Sequence, residues 1–322
     1  MHEPPAYGAN DGLNLMRLHG GGRRFDAAAV PRLHKAAVGG PTGGRRFGTS
    51  DAHQGHGVYP SAMAILEISH GVHWLPLRGA NAYFVRSGES WVLIDAGFPG
   101  SFGAIAEAAG GLCGAAGRPE SILVTHGHPD HVGSAVRLAA AWSVPILAPA
   151  GELPFMDGTA LYPEPLVAWL TRVLPRRAME ALVRDSDLGD AVRPFDPEAG
   201  VPGLPDWVCV PTPGHTPGHV AFFRPADKTL IAGDAVLTMA WSSRLGGGGA
   251  GWLWDLARRE PRLSGPPTIV TCDWRDAAAS VIALADLDPW VLATGHGTPF
   301  VGEHVAPALR AFAARVASAP LG

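Results

Sequence analysis

A chain of 322 residues, 47% of them hydrophobic and 17% charged, has the make-up of a globular protein able to bury a full-sized core. Its net charge of -4 leaves no basic footprint for nucleic acid or an anionic membrane, and no run reaches the ~18 apolar residues that a membrane-spanning helix needs. The cysteines Cys113, Cys209 and Cys272 are odd in number and far apart, which excludes a disulfide framework and a CxxC-type zinc site and points to a reducing, cytoplasmic setting.

Residues 1–63 are rich in Gly, Pro, Arg, Ala and His, with Gly20-Gly21-Gly22-Arg23-Arg24 echoed by Gly43-Gly44-Arg45-Arg46. Without an apolar period they bury too little to offset the entropy of ordering, so a flexible leader is expected ahead of a domain over 64–322. The leader's histidines (His2, His19, His34, His53, His56) are irregularly spaced and read as solvated. From Ala64 short β-like runs follow at 65–68, 72–75, 82–85 and 91–94, punctuated by Gly71, Gly79 and the Ser87-Gly88-Glu89 turn, as in a meander. The last run ends in Asp95-Ala96-Gly97. Residues 101–112 then read as an amphipathic helix.

The β-branched run 122–125 reads as a buried strand that stops where His126, His128, Asp130 and His131 arrive within six residues. A helix at 134–141 follows, so these residues occupy a strand-to-helix loop fixed at both ends. Imidazole nitrogen and carboxylate oxygen form a donor set that suits zinc, and histidines one residue apart can reach one ion from a turn. A strand at 144–148 comes next, and 152–200 reads as a helical insertion, restarted at Pro175, that could cover the site.

The second half repeats this logic. The strand 207–210 runs into Pro211-Thr212-Pro213-Gly214-His215, the strands 220–223 and 229–232 lead to Gly233-Asp234, and 291–294 ends in Gly295-His296-Gly297. His219 reads as a structural, hydrogen-bonded histidine, and His70, His73 and His304 as structural or surface residues. Between Asp234 and a helix at 277–287 lies a segment with four consecutive glycines (246–249) and three tryptophans, Trp241, Trp252 and Trp254, that could wall the site.

Asp95 in its DAG motif, the HxHxDH run of His126, His128, Asp130 and His131, and then His215, Asp234 and His296 in that order resemble a metallo-β-lactamase-fold hydrolase over residues 64–310. The resemblance implies an α/β (α+β) fold, an αββα sandwich of two mixed β-sheets flanked by helices, with a dinuclear metal site at one edge. It implies a first metal on His126, His128 and His215, a second on Asp130, His131 and His296, and Asp234 bridging them, with Asp95 orienting a ligand histidine from behind. Zinc is the expected ion, two per chain, since every donor is N or O; iron or manganese is compatible with the same ligands. Asp130 and Asp234 are the expected catalytic carboxylates, positioning a hydroxide that attacks a small-molecule substrate. An ester-type bond (thioester, lactone or related carbonyl) is the leading target. A phosphodiesterase, a mononuclear iron oxidoreductase of the persulfide-dioxygenase kind, and a metal-stabilised binding protein stay open. Only 26 residues follow His296, which disfavours the glutathione-binding region of glyoxalase II, and the absence of Tyr from 216–233 weakens a quorum-signal lactonase. No nucleic-acid or membrane partner is expected, and the sequence leaves the oligomeric state open.

Overall fold

The computed structural model describes residues 65–319 except 174, 176–186, 242 and 246–260. The expected leader over 1–63 lies outside the described residues, as do Met179, Leu182, Val183, the four-glycine run, Trp252 and Trp254.

The meander forms as the turn punctuation requires: β1 (Leu66–Ser69), β2 (Val72–Pro76), β3 (Asn81–Ser87) and β4 (Ser90–Ile94) pair antiparallel in order. After α1 (Phe102–Leu112), the strand β5 (Ser121–Leu123) lies parallel to β4. Past α2 (Pro129–Val132) and α3 (Ala135–Trp142), β6 (Ile146–Pro149) continues the parallel side. The stretch 152–200 opens with α4 (Leu153–Met156) and α5 (Pro165–Val173), but it is not helical throughout. Its residues Val192–Phe195 form β7, the parallel edge strand of this seven-stranded sheet. An edge strand tolerates Pro194, which has no N–H to give a further neighbour, and so lacks an obvious strand signature.

The second sheet draws on β8 (Val208–Pro211), β9 (Val220–Arg224) and β10 (Thr229–Ile231). A small ribbon of β11 (Leu237–Met239) and β12 (Pro261–Ser264) follows. Then come α6 (Trp274–Asp286), β13 (Val291–Ala293), β14 (Phe300–Val301) and α7 (Val305–Ala317). The strand order is β14-β13-β10-β9-β8, with β10 and β13 parallel and the other pairs antiparallel. Asp273 starts α6 by accepting the backbone N–H groups of Arg275 and Asp276 at 2.8 and 3.0 Å.

Alternation along the strands sets the layers. Tyr83, Val85, Val92 and Ile94 face the second sheet's Val220, Phe222, Ile231 and Ala293 in a core between the sheets. Phe84, Trp91 and Leu93 turn the other way, against Ile105 and Ala109 of α1 and Leu138 of α3. On the far side, Phe223, Leu230 and Leu292 pack on Val281 and Leu284 of α6 and on Leu309, Phe312 and Val316 of α7. The four layers are αββα, as expected. Each fully buried large side chain contributes about 1.5–3 kcal/mol, so these three clusters make the strand ends a firm platform. No described helix is long and apolar enough to cross a membrane.

Candidate metal centre

Every expected residue of the site follows the carboxyl end of a strand. Asp95 follows β4, the His126–His131 run follows β5, His215 follows β8, Asp234 follows β10 and His296 follows β13. β4 and β5 are parallel, as are β10 and β13, so their carboxyl ends bring these loops to one edge of the sandwich, where α/β sheets place their sites. All the expected ligands are buried except Asp130, which is partly exposed.

The donor atoms gather into groups. His126, His128 and His215 form one, Asp130, His131 and His296 another, and His126, His131 and Asp234 a third that overlaps both, with the donor atoms of each group within 4.8 Å of one another. In the first, His126 Nε2 lies 3.1 Å from His128 Nδ1 and 3.2 Å from His215 Nε2. Donors on one tetrahedral zinc at about 2.0–2.1 Å would stand about 3.3 Å apart, so these nitrogens are already spaced as ligands. In the second, His296 Nε2 is 3.2 Å from Asp130 Oδ2. Asp234 spans the two, with Oδ2 at 3.1 Å from His296 Nε2 and 3.5 Å from His215 Nε2, and Oδ1 at 3.5 Å from His131 Nε2. Only glycine fits beside it, because a Cβ on Gly295 would stand 2.0 Å from Asp234 Oδ1.

Neighbouring groups fix the histidine tautomers. Asp95, with φ of 60°, accepts the Thr125 N–H at 2.8 Å, the Thr125 hydroxyl at 2.9 Å and His131 Nδ1 at 2.8 Å. The Thr125 hydroxyl spends its proton on Asp95 and accepts from His126 Nδ1 at 3.0 Å. His296 Nδ1 donates to the Gly79 carbonyl at 2.6 Å. Each of these rings therefore turns Nε2 to the centre, as ligand histidines do when the other nitrogen is held by an acceptor. His128 is reversed: its Nδ1 faces the centre and its Nε2 lies 3.5 Å from Glu164 Oε2.

Two buried atoms test whether a cation fits. His131 Nε2 and Asp234 Oδ1 have no hydrogen-bond partner, yet both are buried and face the same space. Orphaned buried polar atoms are costly unless something else satisfies them, and a divalent ion is what an imidazole and a carboxylate share. The electrostatics agree. Burial and the neighbouring rings His131 and His128 hold His126 well below its ordinary value, and burial and His128 do the same for His215, so both are neutral donors. Burial opposes charge on His131 and His296, but Asp234 and Asp130 outweigh it, raising His131 well above its usual range and His296 to about 10. Burial would raise Asp234, but His296 and His131 pull it well below the carboxylate range. The carboxylates of Asp130 and Asp234 thus draw positive charge to this end of the site, held here by protons on His131 and His296 where a cation could take their place.

Two contributors, Asn81 and Tyr83, carry no sequence signature. Asn81 Nδ2 donates to the carbonyls of Thr294 and Gly297 at 2.8 and 2.7 Å, and the Tyr83 hydroxyl donates to the Thr294 carbonyl at 2.6 Å, so β3 fixes the loop of His296. His219 bonds Thr212 Oγ1 at 2.7 Å and accepts the Asp234 N–H at 3.0 Å. It is structural, and it braces the Asp234 backbone. Burial holds its pKa down to about 3. Trp241 lies 5.8 Å, ring to ring, from His296. His73 stacks edge-on to Trp91, away from the centre.

A family model described as the metallo-beta-lactamase superfamily matches residues 75–296, a span that runs from β2 to His296 and contains the whole set of expected ligands. The chain belongs to the metallo-beta-lactamase superfamily. It is similar to the probable metallo-hydrolase YflN of Bacillus subtilis (strain 168), at 35% identity over 262 residues, which cover 78% of this chain and 93% of that one. It also matches a hydroxyacylglutathione hydrolase of Rhodospirillum rubrum, at 29% identity, over 52% of this chain and about half, 53%, of that protein. Among solved structures, a metallo-beta-lactamase family protein from Thermus thermophilus, TTHA1429, shares the fold at a TM-score of 0.54 and 20% identity, over 78% of this chain and 80% of that one. As a member of this superfamily, the chain is a metal-dependent hydrolase.

Proposed function

We propose that the protein is a zinc hydrolase with a dinuclear centre that cleaves an ester-type bond, thioester or lactone or a related carbonyl, in a small molecule. The convergence of buried N and O donors with no thiolate among them carries this reading. His126, His128 and His215 would hold one ion, Asp130, His131 and His296 the other, with Asp234 shared. The relative whose name describes hydrolysis of a hydroxyacyl glutathione supports an acyl substrate.

A bound zinc supplies Lewis acidity for the scissile carbonyl and brings the pKa of water to about 7. The chain's own part is positioning and proton handling. Asp130, with a side chain 20% exposed against 8% or less for His128, His131, Asp234 and His296, is the member of this set that an entering substrate meets. Its carboxylate would orient the attacking water there. Asp95, Thr125 and Gly79 keep their histidines as lone-pair donors, so none of these rings is free to serve a covalent nucleophile. The thiols are unsuited to that part, because burial pushes Cys113 up to about 11 and Cys209 to about 12.

We place the catalytic machinery in residues 64–322, regard 1–63 as a leader the chemistry does not need, and assign a cytoplasmic setting from the unpaired cysteines. The test is elemental analysis of the purified protein together with a panel of ester, thioester, lactone and phosphodiester substrates. Two zinc ions per chain and chelator-sensitive carbonyl hydrolysis, with solvent oxygen in the acid product, are expected. A single iron with persulfide oxidation, or turnover of the phosphodiester alone, would replace the reading.

A further inference from the structure

We infer that Glu152 is a positioning residue that clamps together the two loops carrying His126, His128 and His215, and so sets the spacing of that half of the centre. The inference rests on the ligand assignment proposed above. Glu152 is 0% exposed and lies just beyond β6. Its Oε1 accepts the Gly218 N–H at 2.7 Å, and its Oε2 accepts the Gly127 N–H at 3.0 Å and the Tyr162 hydroxyl. Gly127 stands between His126 and His128, and Gly218 is in the turn just after His215. One carboxylate therefore divides its oxygens between a loop ending β5 in one sheet and a loop ending β8 in the other.

The surroundings are built for this contact. A Cβ on Gly127 would meet the Tyr162 hydroxyl at 2.4 Å and Met156 Cγ at 2.8 Å, and one on Gly218 would meet the Gly151 carbonyl carbon at 2.4 Å and the Glu152 nitrogen at 2.6 Å. No side chain fits at either place, so the backbone amides reach the carboxylate directly. Tyr162 adds a third donor while accepting from Gly127 N at 3.0 Å, and its ring sits 5.0 Å from that of His128. Hydrogen bonds to an ionised acceptor are about twice as strong as neutral ones. The clamp holds the two loops from behind the rings and so preorganises the three imidazole nitrogens for an ion.

Glu152→Gln keeps the shape but turns an NH2 group toward one of the two loops. In the full chain stripped of metal, amide exchange at Gly127 or Gly218 should quicken by about 10-fold or more, while the Thr125 amide, held by Asp95, keeps its protection. Zinc affinity, read by competition with a chelator, should fall by about 10–100-fold. Tyr162→Phe, which leaves both amide–carboxylate bonds in place, should quicken Gly127 and spare Gly218, and it carries the test if the first variant does not fold. Unchanged exchange at both glycines overturns the clamp. Faster exchange with unchanged zinc affinity overturns its positioning role. Wild-type protein that takes up no zinc overturns the ligand assignment instead, and the exchange data still decide whether the clamp exists.

Discussion

Asp95 shows how much one side chain can fix. It sits in left-handed backbone, which Asp tolerates better than most residues, and its two oxygens collect the Thr125 amide, the Thr125 hydroxyl and His131 Nδ1. Through Thr125 it also governs the tautomer of His126. Asp95→Asn preserves size but replaces one acceptor oxygen with a donor, so either Thr125 or His131 loses its partner. Zinc affinity in a competition titration should fall by about 10–100-fold with the fold retained by circular dichroism; an unchanged affinity would show that the metal orients His131 without help. Asp95 was legible in the sequence because it ends a strand and opens the Asp95-Ala96-Gly97 motif. Asn81, Tyr83 and Glu152 were not. They act on residues far along the chain, such as Thr294 and Gly218, and nothing local distinguishes a strand-initial Asn or a buried Glu that will meet such a partner from one that will not.

At the scale of elements, the stretch 152–200 divides into parts with different duties. Its first part carries Glu152 and Tyr162, which hold the Gly127 loop, and Glu164, which faces His128. Its last part is β7, bonded along the whole of β6. The sequence shows the helical period of α5 but hides β7, because Val192 and Phe195 bracket an Arg-Pro pair and leave no alternation to read. The sequence reading also leaves α7 unassigned, although Val305, Leu309, Phe312 and Val316 recur at helical spacing. The expectation that the stretch covers the centre is thus left to its middle, of which α5 is the longest described element. Replacing residues 165–191 with a short linker should leave metal content unchanged and alter KM or substrate range. A replacement beginning at Glu152 should instead empty the His126, His128 and His215 group. Equal metal loss from both replacements would place α5 in the framework of the site rather than above it.

Across the whole molecule, the centre sits where the two sheets meet, and neither proposed ion belongs to one sheet alone. His126 and His128 come from the first sheet and His215 from the second; Asp130 and His131 come from the first and His296 from the second. Each ion would thus be a cross-link between the halves of the sandwich, added to the apolar contacts of Tyr83 and Ile94 with Phe222 and Ile231. The unfolded chain cannot present ligands drawn from residues 126 to 296 in one place, so binding energy is spent almost entirely on the native state. A ligand bound only by the native state at 1,000 times its Kd stabilises by about 4.1 kcal/mol. For a domain of this size that corresponds to about 2–4 °C per kcal/mol, so one saturating zinc should raise the midpoint by about 8–16 °C. Stripped and reconstituted protein compared by scanning calorimetry will read this directly. Asp234→Ala should lose most of the increment, because it removes the oxygens that face His131, His215 and His296 together. If the stripped protein melts with the loaded one, zinc either does not saturate the native state or binds the unfolded chain as well, and the cross-link between the sheets fails.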